Sequence, residues 1–301
     1  MNIFNKNNLT EHYFNKLSQE ILINRMLQGK LMTVNNKLQK SVQNLEDVEF
    51  KVFSQWGDDG IIQYLISQIE IPNKTFVEFG VENYTEANTR FLLMNNNWSG
   101  LIMDGSEENM NYVRNDSIYW KYDLQCKAAF IDTENVNSLI ASAGFDKELG
   151  ILHIDIDGND YWVWKAVHVV QPIIVIIEYN SLFGFDKPWT TPYNPTFFRT
   201  NYHYSNLLYG TSLLSACDLA NEKGYTFVGC NSAGNNAYFV RNDKVGNLYQ
   251  PKIEEGYRLS KFKESRSKDG ALTYLRADER YNLLKGENVF NTRTNQLEQI
   301  K

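Results

Sequence analysis

The chain has 301 residues, of which 43% are hydrophobic and 14% aromatic. This length can bury one large core or two small ones, and the aromatic content argues against a disordered chain. The 30 basic and 36 acidic residues give a net charge of −6 at pH 7 without a dense basic block, so we exclude a general nucleic-acid-binding protein. The short basic run at 261–268 is interpreted as a solvated face.

Cysteine usage and hydropathy bear on the compartment. Cys126, Cys217 and Cys230 lack the spacing of metal or redox motifs, which is typical of a reducing environment. No basic start followed by an apolar run marks a signal peptide, and the longest apolar stretch, 173–177, is too short to span a bilayer. We therefore expect a cytoplasmic protein without a membrane span.

Residues 1–48 are predicted to form an N-terminal helical extension. Apolar residues recur there near helical spacing, at Leu17, Ile21, Ile23, Leu27 and Leu31. We expect one or two helices that pack on the main domain or on a partner.

From residue 49 onward, short apolar runs alternate with helical stretches, which is typical of β–α–β units. The predicted parallel strands lie at 75–79, 100–103, 118–122 (the weakest), 151–154 and 173–177. A helix at 211–223 then leads to a hairpin formed by 225–228 and 237–240. The predicted fold class is α/β, a Rossmann-like, doubly wound, mostly parallel sheet with an antiparallel edge hairpin, covering residues 49–270 and followed by a C-terminal tail at 271–301.

Carboxylates lie at the ends of four of the predicted strands. They are Glu78, Asp104, Asp155 with Asp157, and Glu178. Ligands of doubly wound sheets bind at the carboxyl ends of the strands, and a carboxylate there costs desolvation energy unless it is paired. The pattern predicts a binding site for a ligand rich in hydrogen-bond donors or positive charge.

The first two strand ends point to a nucleoside. Gly80 allows a tight turn and close approach of a ligand, and Glu78 could face a cationic amino group, although a plain strand-to-helix turn is the alternative. The absence of a G-x-G-x-x-G motif argues against a dinucleotide. Asp104 is placed to accept from ribose hydroxyls, with a helix N-cap, which Ser106 could also provide, as the alternative.

The last two strand ends point to a cation. Asp155 and Asp157 are the functional candidates, whereas Asp160 is expected to cap a helix. Asp155, Glu178 and Asn180 offer hard oxygen atoms on adjacent strands, which suits Mg²⁺ or Mn²⁺. Direct hydrogen bonding to substrate without a metal is the alternative.

These motifs together resemble a known family. They are SQWGDDG at 54–60, FVEFG at 76–80, WSG at 98–100 with DG at 104–105, IDIDGND at 154–160 and IEYN at 177–180. From about residue 50 to 270 the pattern resembles class I S-adenosylmethionine-dependent methyltransferases, and within them the FkbM-related branch of glycan and capsule biosynthesis. The usual glycine-rich first loop is reduced here to Gly80.

The resemblance implies a seven-stranded sheet with S-adenosylmethionine across strands one and two. It implies that Glu78 and Gly80 lie near the methionine moiety, that Asp104 holds the ribose and that Asp123 flanks the adenine. Gln55, in the first motif, and Asp155 are further expected cofactor contacts. The metal position of some methyltransferases of this fold matches Asp155, Glu178 and Asn180 in part.

Transfer to a hydroxyl needs a base or a metal. We expect Asp155 and His203 to be catalytic, with His203 as base or acceptor contact; a histidine without a chemical role is the alternative. The aromatic-rich segment 181–209 is predicted to be a lid or acceptor pocket, or else a dimer contact. Arg199 and Lys187 in this segment could meet an anionic acceptor.

The predicted function is methyl transfer to a sugar, a nucleotide sugar or a phosphorylated metabolite. The alternatives are a nicotinamide-dependent oxidoreductase, a non-catalytic partner protein of the same fold, and a metal-dependent glycosyltransferase using Asp155 and Asp157. A homodimer is compatible with the sequence.

Overall fold

The computed structural model describes residues 3–40 and 42–301. Its α-helices are α1 (Ile3–Leu38), α2 (Asp58–Gln68), α3 (Arg90–Asn96), α4 (Glu107–Asn115), α5 (Ser117–Lys121), α6 (Val136–Ser142), α7 (Asp160–Ala166), α8 (Arg199–Tyr202), α9 (Leu213–Lys223), α10 (Ile253–Gly256) and α11 (Ala277–Asn282). Its strands are β1 (Thr75–Phe79), β2 (Ser99–Asp104), β3 (Leu124–Ala128), β4 (Glu148–Ile154), β5 (Gln171–Glu178), β6 (Trp189–Thr190), β7 (Tyr225–Cys230), β8 (Asn236–Arg241), β9 (Asn288–Asn291) and β10 (Gln296–Gln299). Short 3₁₀ helices span Leu45–Val48 and Ser181–Phe183.

Seven strands form the main sheet in the order β3-β2-β1-β4-β5-β8-β7. The first five are parallel, and β8 runs antiparallel to both β5 and β7. This topology confirms the predicted doubly wound α/β fold with its antiparallel edge hairpin. The strand order reverses direction between β1 and β4, which is where such sheets bind ligands.

The central strands are apolar on both faces because helices cover both sides of the sheet. In β5, Ile174 and Ile176 join one buried cluster, whereas Val175 and Ile177 join the cluster on the opposite face. The alternation follows from the two-residue period of a strand. Burial on both faces explains why this strand reads as a continuous apolar run.

The third strand lies later in the chain than predicted. Residues 118–122 fall largely in α5, which is capped by Asp116, whose side chain accepts a hydrogen bond from the Ile118 amide. β3 begins at Leu124. The prediction was wrong because a short run with one buried residue fits either a helix turn or a strand, and the cap decides between them.

In the described part of the N-terminal extension, the long helix α1 is followed by the 3₁₀ helix Leu45–Val48, and α1 contacts the domain through its second half. A Cβ atom on Gly29 would lie 2.7 Å from Val52 and 2.8 Å from Phe91, so only glycine allows this close approach. Asn36 Nδ2 donates to the carbonyls of Val48 and Gly60.

The C-terminal segment, predicted as a tail, is folded. Strands β9 and β10 pair with each other, and β9 pairs with β6 to complete a three-stranded sheet. Leu284, Val289 and Ile300 pack there against Phe183 and Trp189. Residues 271–301 therefore pack against the 181–209 segment and pair with its strand β6.

Among the helices of residues 3–40 and 42–301, none has the length and apolar character needed to cross a membrane.

Candidate active site

A cavity of about 750 Å³ lies at the carboxyl ends of β1, β2, β4 and β5. This volume is typical of a small-molecule site. Its lining includes the carboxylates at the ends of these four strands and part of the 181–209 segment. The structure thus brings Glu78, Asp104, Asp155 and Glu178 to one site, as the sequence predicts.

At the end of β1, Glu78 is buried and bonded within the chain. Its Oε1 accepts from the Asn88 amide at 2.9 Å and lies 2.8 Å from His153 Nδ1. Its Oε2 accepts from the amide and hydroxyl of Thr89. Burial acts to raise the pKa of Glu78, but the bonds with His153 and Thr89 hold it below its ordinary value. Both oxygens of Glu78 are already hydrogen-bonded within the chain. Glu78 therefore contributes negative charge to the cavity lining but offers no free oxygen to a ligand amino group.

His153 is a cavity residue that the sequence analysis did not single out. It lies on β4 between Glu78 and Asn88, and Asn88 Nδ2 is 3.2 Å from its Nε2. Burial acts to lower the pKa of His153, but the Glu78 carboxylate raises it above its ordinary value. Its position two residues before Asp155 was an available signal, because alternate strand residues share a face.

Gly80 has a left-handed φ of 71°. A Cβ atom there would lie 1.6 Å from the carbonyl oxygen of Asp155. Glycine is therefore required because the turns after β1 and β4 touch each other, whatever ligand the cavity takes.

Asp104 is held firmly at the end of β2. Its Oδ2 accepts from the Glu82 amide at 2.8 Å, and its Oδ1 accepts from the Ser106 amide at 2.8 Å and Asn109 Nδ2 at 3.1 Å. Ser106 itself caps α4, so Asp104 is not needed as the cap. A carboxylate has about four acceptor positions, which leaves capacity for a ligand hydroxyl.

Three carboxyl groups converge at the ends of β4 and β5. Ligand atoms of Asp155, Asp160 and Glu178 lie within 4.8 Å of one another. Asp160 accepts from the amides of Ile156 and Gly158, each at 2.8 Å. Glu178 Oε2 is buried without a hydrogen-bond partner among the described residues.

Positive charge compensates the cluster only in part: His153 and Arg199 act to lower the pKa of Asp155, but burial outweighs them. Burial, with the nearby Asp157, raises the pKa of Asp155 to about 7. Burial also raises the pKa of Asp160 to about 6 and that of Glu178 well above its ordinary value. Such a group gains from a bound cation or from retained protons.

Asn180 does not join this cluster, contrary to the sequence-based expectation. Its Nδ2 donates to the carbonyls of Leu207 and Tyr209, and its Oδ1 accepts from the Leu182 amide. These bonds use its polar atoms to hold the chain that follows β5. The third carboxyl group beside Asp155 and Glu178 is that of Asp160, which the sequence predicted only as a helix cap.

Asp123 does not reach the cavity, which corrects its expected place beside an adenine. It precedes β3, and its carbonyl accepts from the Gly100 amide, so it lies at the amino end of the strands. The error follows from the misplaced third strand. The cavity wall after β3 is formed by Ala129, Phe130 and Ile131.

The loop before α2 brings Gln55 to the cavity rim. This loop is fixed by Asp59, whose Oδ2 accepts from the amides of Val52, Phe53 and Ser54 at 2.7–2.8 Å. Asp58 binds the other side of the site, accepting from Asn231, Asn236 and Tyr238. The two aspartates of the SQWGDDG motif are thus scaffold residues, and Gln55 is the one that lines the cavity.

Part of the 181–209 segment closes one side of the cavity. Phe197 packs so tightly on the β4 loop that a Cβ on Gly158 would lie 2.1 Å from its ring. Arg199 Nη1 lies 2.6 Å from Asp157 Oδ1, and its guanidinium stacks 3.7 Å from the centre of the Tyr209 ring.

The cavity is strongly acidic. Arg199 is the only Lys or Arg among the described residues that line it, and Asp157 already pairs with it. The carboxylates that line the cavity are Glu78, Glu82, Glu86, Asp104, Asp155, Asp157, Glu178 and Glu264. Lys187 lies elsewhere, with its Nζ bonded to the Tyr281 hydroxyl.

His203 is outside the described cavity lining. Its Nδ1 lies 2.7 Å from Ser205 Oγ and its Nε2 lies 3.7 Å from Glu287. Burial lowers its pKa below the ordinary value. The structure thus directs His203 toward the C-terminal segment, which favours the alternative of a histidine without a chemical role.

No family model matches the chain, and no curated protein matches it. Among solved structures, the N-terminal domain of EvdMO1 with SAH bound has 12% identity and a TM-score of 0.39, over 74% of this chain and 94% of that chain. An O-methyltransferase from Bacillus cereus in complex with SAH has 10% identity and a TM-score of 0.37, over 72% and 91%. An S-adenosylmethionine-dependent methyltransferase from Clostridium acetobutylicum has 11% identity and a TM-score of 0.35, over 56% and 83%. These similarities are too low to bear on the activity of this chain, and its fold is assigned from its own strand order.

Proposed function

We propose that this chain is an S-adenosylmethionine-dependent methyltransferase that acts on a hydroxyl group of a small, sugar-like acceptor. The observation that carries the proposal is the position of Asp104, a preoriented carboxylate at the end of β2 and at the rim of the switch-point cavity. The motifs that resemble class I methyltransferases support the same reading.

The cofactor would supply an activated methyl group, which leaves the protein chiefly with alignment. Asp104 would accept from the ribose hydroxyls while Ser106 and Asn109 hold its carboxylate in place. Phe130, about half exposed, and Ile131 offer an apolar wall for a base ring beside β2.

Asp155 is the group best suited to accept the proton of an acceptor hydroxyl. It lines the cavity, and its pKa of about 7 matches a base that works near neutral pH. The hydroxyl proton would pass to its carboxylate as the acceptor oxygen bonds to the methyl carbon and the methyl–sulfur bond breaks, with S-adenosylhomocysteine as the leaving group. Glu178, adjacent on β5, would orient the same hydroxyl.

A divalent cation fits the same carboxylates. The all-oxygen set of Asp155, Asp160 and Glu178, together with the unpartnered Glu178 Oε2, suits Mg²⁺ or Mn²⁺. Such an ion would supply Lewis acidity that lowers the pKa of the acceptor hydroxyl. We propose these three residues as its ligands.

The charge of the cavity favours a neutral acceptor. Arg199 is neutralised by Asp157, so a phosphate would face carboxylates without a free guanidinium. We therefore propose a neutral sugar rather than a phosphorylated metabolite, and the resemblance to the FkbM-related branch supports a surface glycan or capsule unit.

Calorimetric titration with S-adenosylmethionine and S-adenosylhomocysteine tests the cofactor site. Wild-type protein should bind both, and Asp104→Ala should weaken binding about 10- to 100-fold, because hydrogen bonds to a charged group contribute about 1.5–3 kcal/mol. Glu254→Ala, which removes an exposed carboxylate from α10, is the control and should bind as wild type. Absence of binding to well-folded wild-type protein would reject the proposal in favour of a non-catalytic partner of the same fold.

Metal binding is tested separately by Mn²⁺ titration after dialysis against EDTA. We expect wild-type protein to bind the ion and Glu178→Gln to lose it. Glu264→Gln, which alters a cavity carboxylate outside the cluster, should retain it. Full methyl transfer in EDTA by metal-free protein would reject the metal site and leave Asp155 as the base.

A further inference from the structure

Helix α1 has two distinct faces along its length. One face contacts the domain through Leu22, Met26, Gly29, Thr33 and Asn36, which are buried or half-buried. These residues recur at alternating spacings of four and three, so they form a single stripe on the helix.

A second stripe faces solvent. It runs through Tyr13, Leu17, Glu20, Asn24, Leu27, Leu31, Val34 and Leu38. Its apolar members are between 53% and 74% exposed. At about 100° per residue this stripe lies roughly opposite the domain-facing one. An exposed apolar surface of this length marks an interface.

The spacing of this outer stripe is that of a coiled-coil seam. Counting in heptads, Leu17, Asn24, Leu31 and Leu38 occupy one core position. Tyr13, Glu20, Leu27 and Val34 occupy the other core position. Because the seam is opposite the face that contacts the domain, a partner helix can lie along it without meeting the domain.

We propose that two copies of this chain associate through α1 in a parallel, in-register coiled coil. The flanking charges favour this orientation. Lys16, Lys30 and Lys37 occupy one edge of the seam, and the opposite edge carries the uncharged Ile21, Gln28 and Asn35. A parallel pair sets the lysine edge against the neutral edge, whereas an antiparallel pair sets lysine against lysine.

Asn24 supports self-association in register. A single asparagine at this core position specifies register and orientation because it pairs with its own copy across the seam. Glu20 opposes the pairing, since it would face Glu20 of the second copy, although Lys16 lies one turn before it on the same helix. Replacing Glu20 by leucine should therefore tighten the dimer.

Sedimentation velocity of the full chain over a concentration series tests the association. Wild type should be dimeric, and Leu31→Glu should raise the dissociation constant roughly 100-fold or more, because a charge enters the seam. Leu17→Glu, farther from the domain, should act likewise. Ser18→Glu adds the same charge off the seam and should remain dimeric, and circular dichroism should show all variants folded.

Two further experiments distinguish a second copy of this chain from other partners that could bind the outer stripe of α1. Glu20→Leu should lower the dissociation constant at least about tenfold. Leu17→Cys should form a disulfide-linked dimer on mild oxidation, because only a parallel pair brings the two residues 17 together. A monomeric wild type, a Leu17→Cys chain that does not cross-link, or a monomer whose α1 binds vesicles of anionic phospholipid instead would each overturn the proposal.

Discussion

Replacing Asp155 with asparagine should stabilise the ligand-free protein increasingly as the pH rises from 5 to 8. Burial beside Asp157 raises the pKa of Asp155 from an ordinary value of 3.8 to about 7. Between these values the folded state keeps a proton that the unfolded chain has lost, so folding stability falls with rising pH and levels off above pH 7. Asparagine does not titrate and removes this loss.

The magnitude follows from the pKa. From pH 5 to pH 7 the difference spans about two pH units, and each unit corresponds to 1.36 kcal/mol, so the gain of Asp155→Asn over wild type should grow by about 3 kcal/mol at most. The Asp155 side chain is only half-buried, so solvent screening brings the expected value to about 1–3 kcal/mol.

Urea unfolding of both proteins at several pH values measures this gain. Asp47→Asn, an exposed aspartate in the 3₁₀ helix before α2, is the control and should follow wild type throughout. Mg²⁺ or Mn²⁺ should reverse the wild-type loss at pH 8 if the ion binds the cluster. A gain that is constant with pH, or an Asp155→Asn protein that is less stable than wild type at pH 8, would refute the electrostatic reasoning.

Further substitutions test the site geometry. Gly80→Ala should destabilise the protein by more than about 3 kcal/mol, because its Cβ would overlap the carbonyl oxygen of Asp155; Gly144→Ala, also at positive φ but with open space around it, should cost only about 1 kcal/mol by urea unfolding. His203→Ala should leave the pH profile of methyl transfer unchanged, since the imidazole is directed toward Glu287, and an altered profile would return it to the mechanism. His153→Ala should lower stability by about 2–4 kcal/mol at pH 7 by leaving the buried Glu78 carboxylate without its partner, and thermal unfolding unchanged from wild type would show that this pair is not formed.

Much of the fold and the location of the site follow from the sequence alone. A continuous apolar run such as Ile173–Ile177 has few alternatives to a buried central strand. The carboxyl ends of parallel strands share one edge of a sheet. Recognising the strands therefore predicts that Glu78, Asp104, Asp155 and Glu178 meet, as the structure shows.

The third strand marks the limit of local pattern. The apolar pattern of residues 118–122 fits either a strand or a helix. The hydrogen bond from the Ile118 amide to the Asp116 side chain caps the helix that forms there. The error displaced Asp123 to the wrong end of the sheet. A shift of a few residues in one element thus removed one predicted contact from the site.

Only the tertiary structure decided which polar atoms face the cavity. Asn180 turns away because the carbonyls of Leu207 and Tyr209, 27 and 29 residues later, take its amide. Glu78 is engaged by His153, 75 residues away. The sequence by itself determines which carboxylates lie at the ends of the four strands β1, β2, β4 and β5, because that is a matter of local pattern. The direction of each side chain depends on partners brought close by folding, and for Asn180 and Glu78 these partners are distant in the sequence.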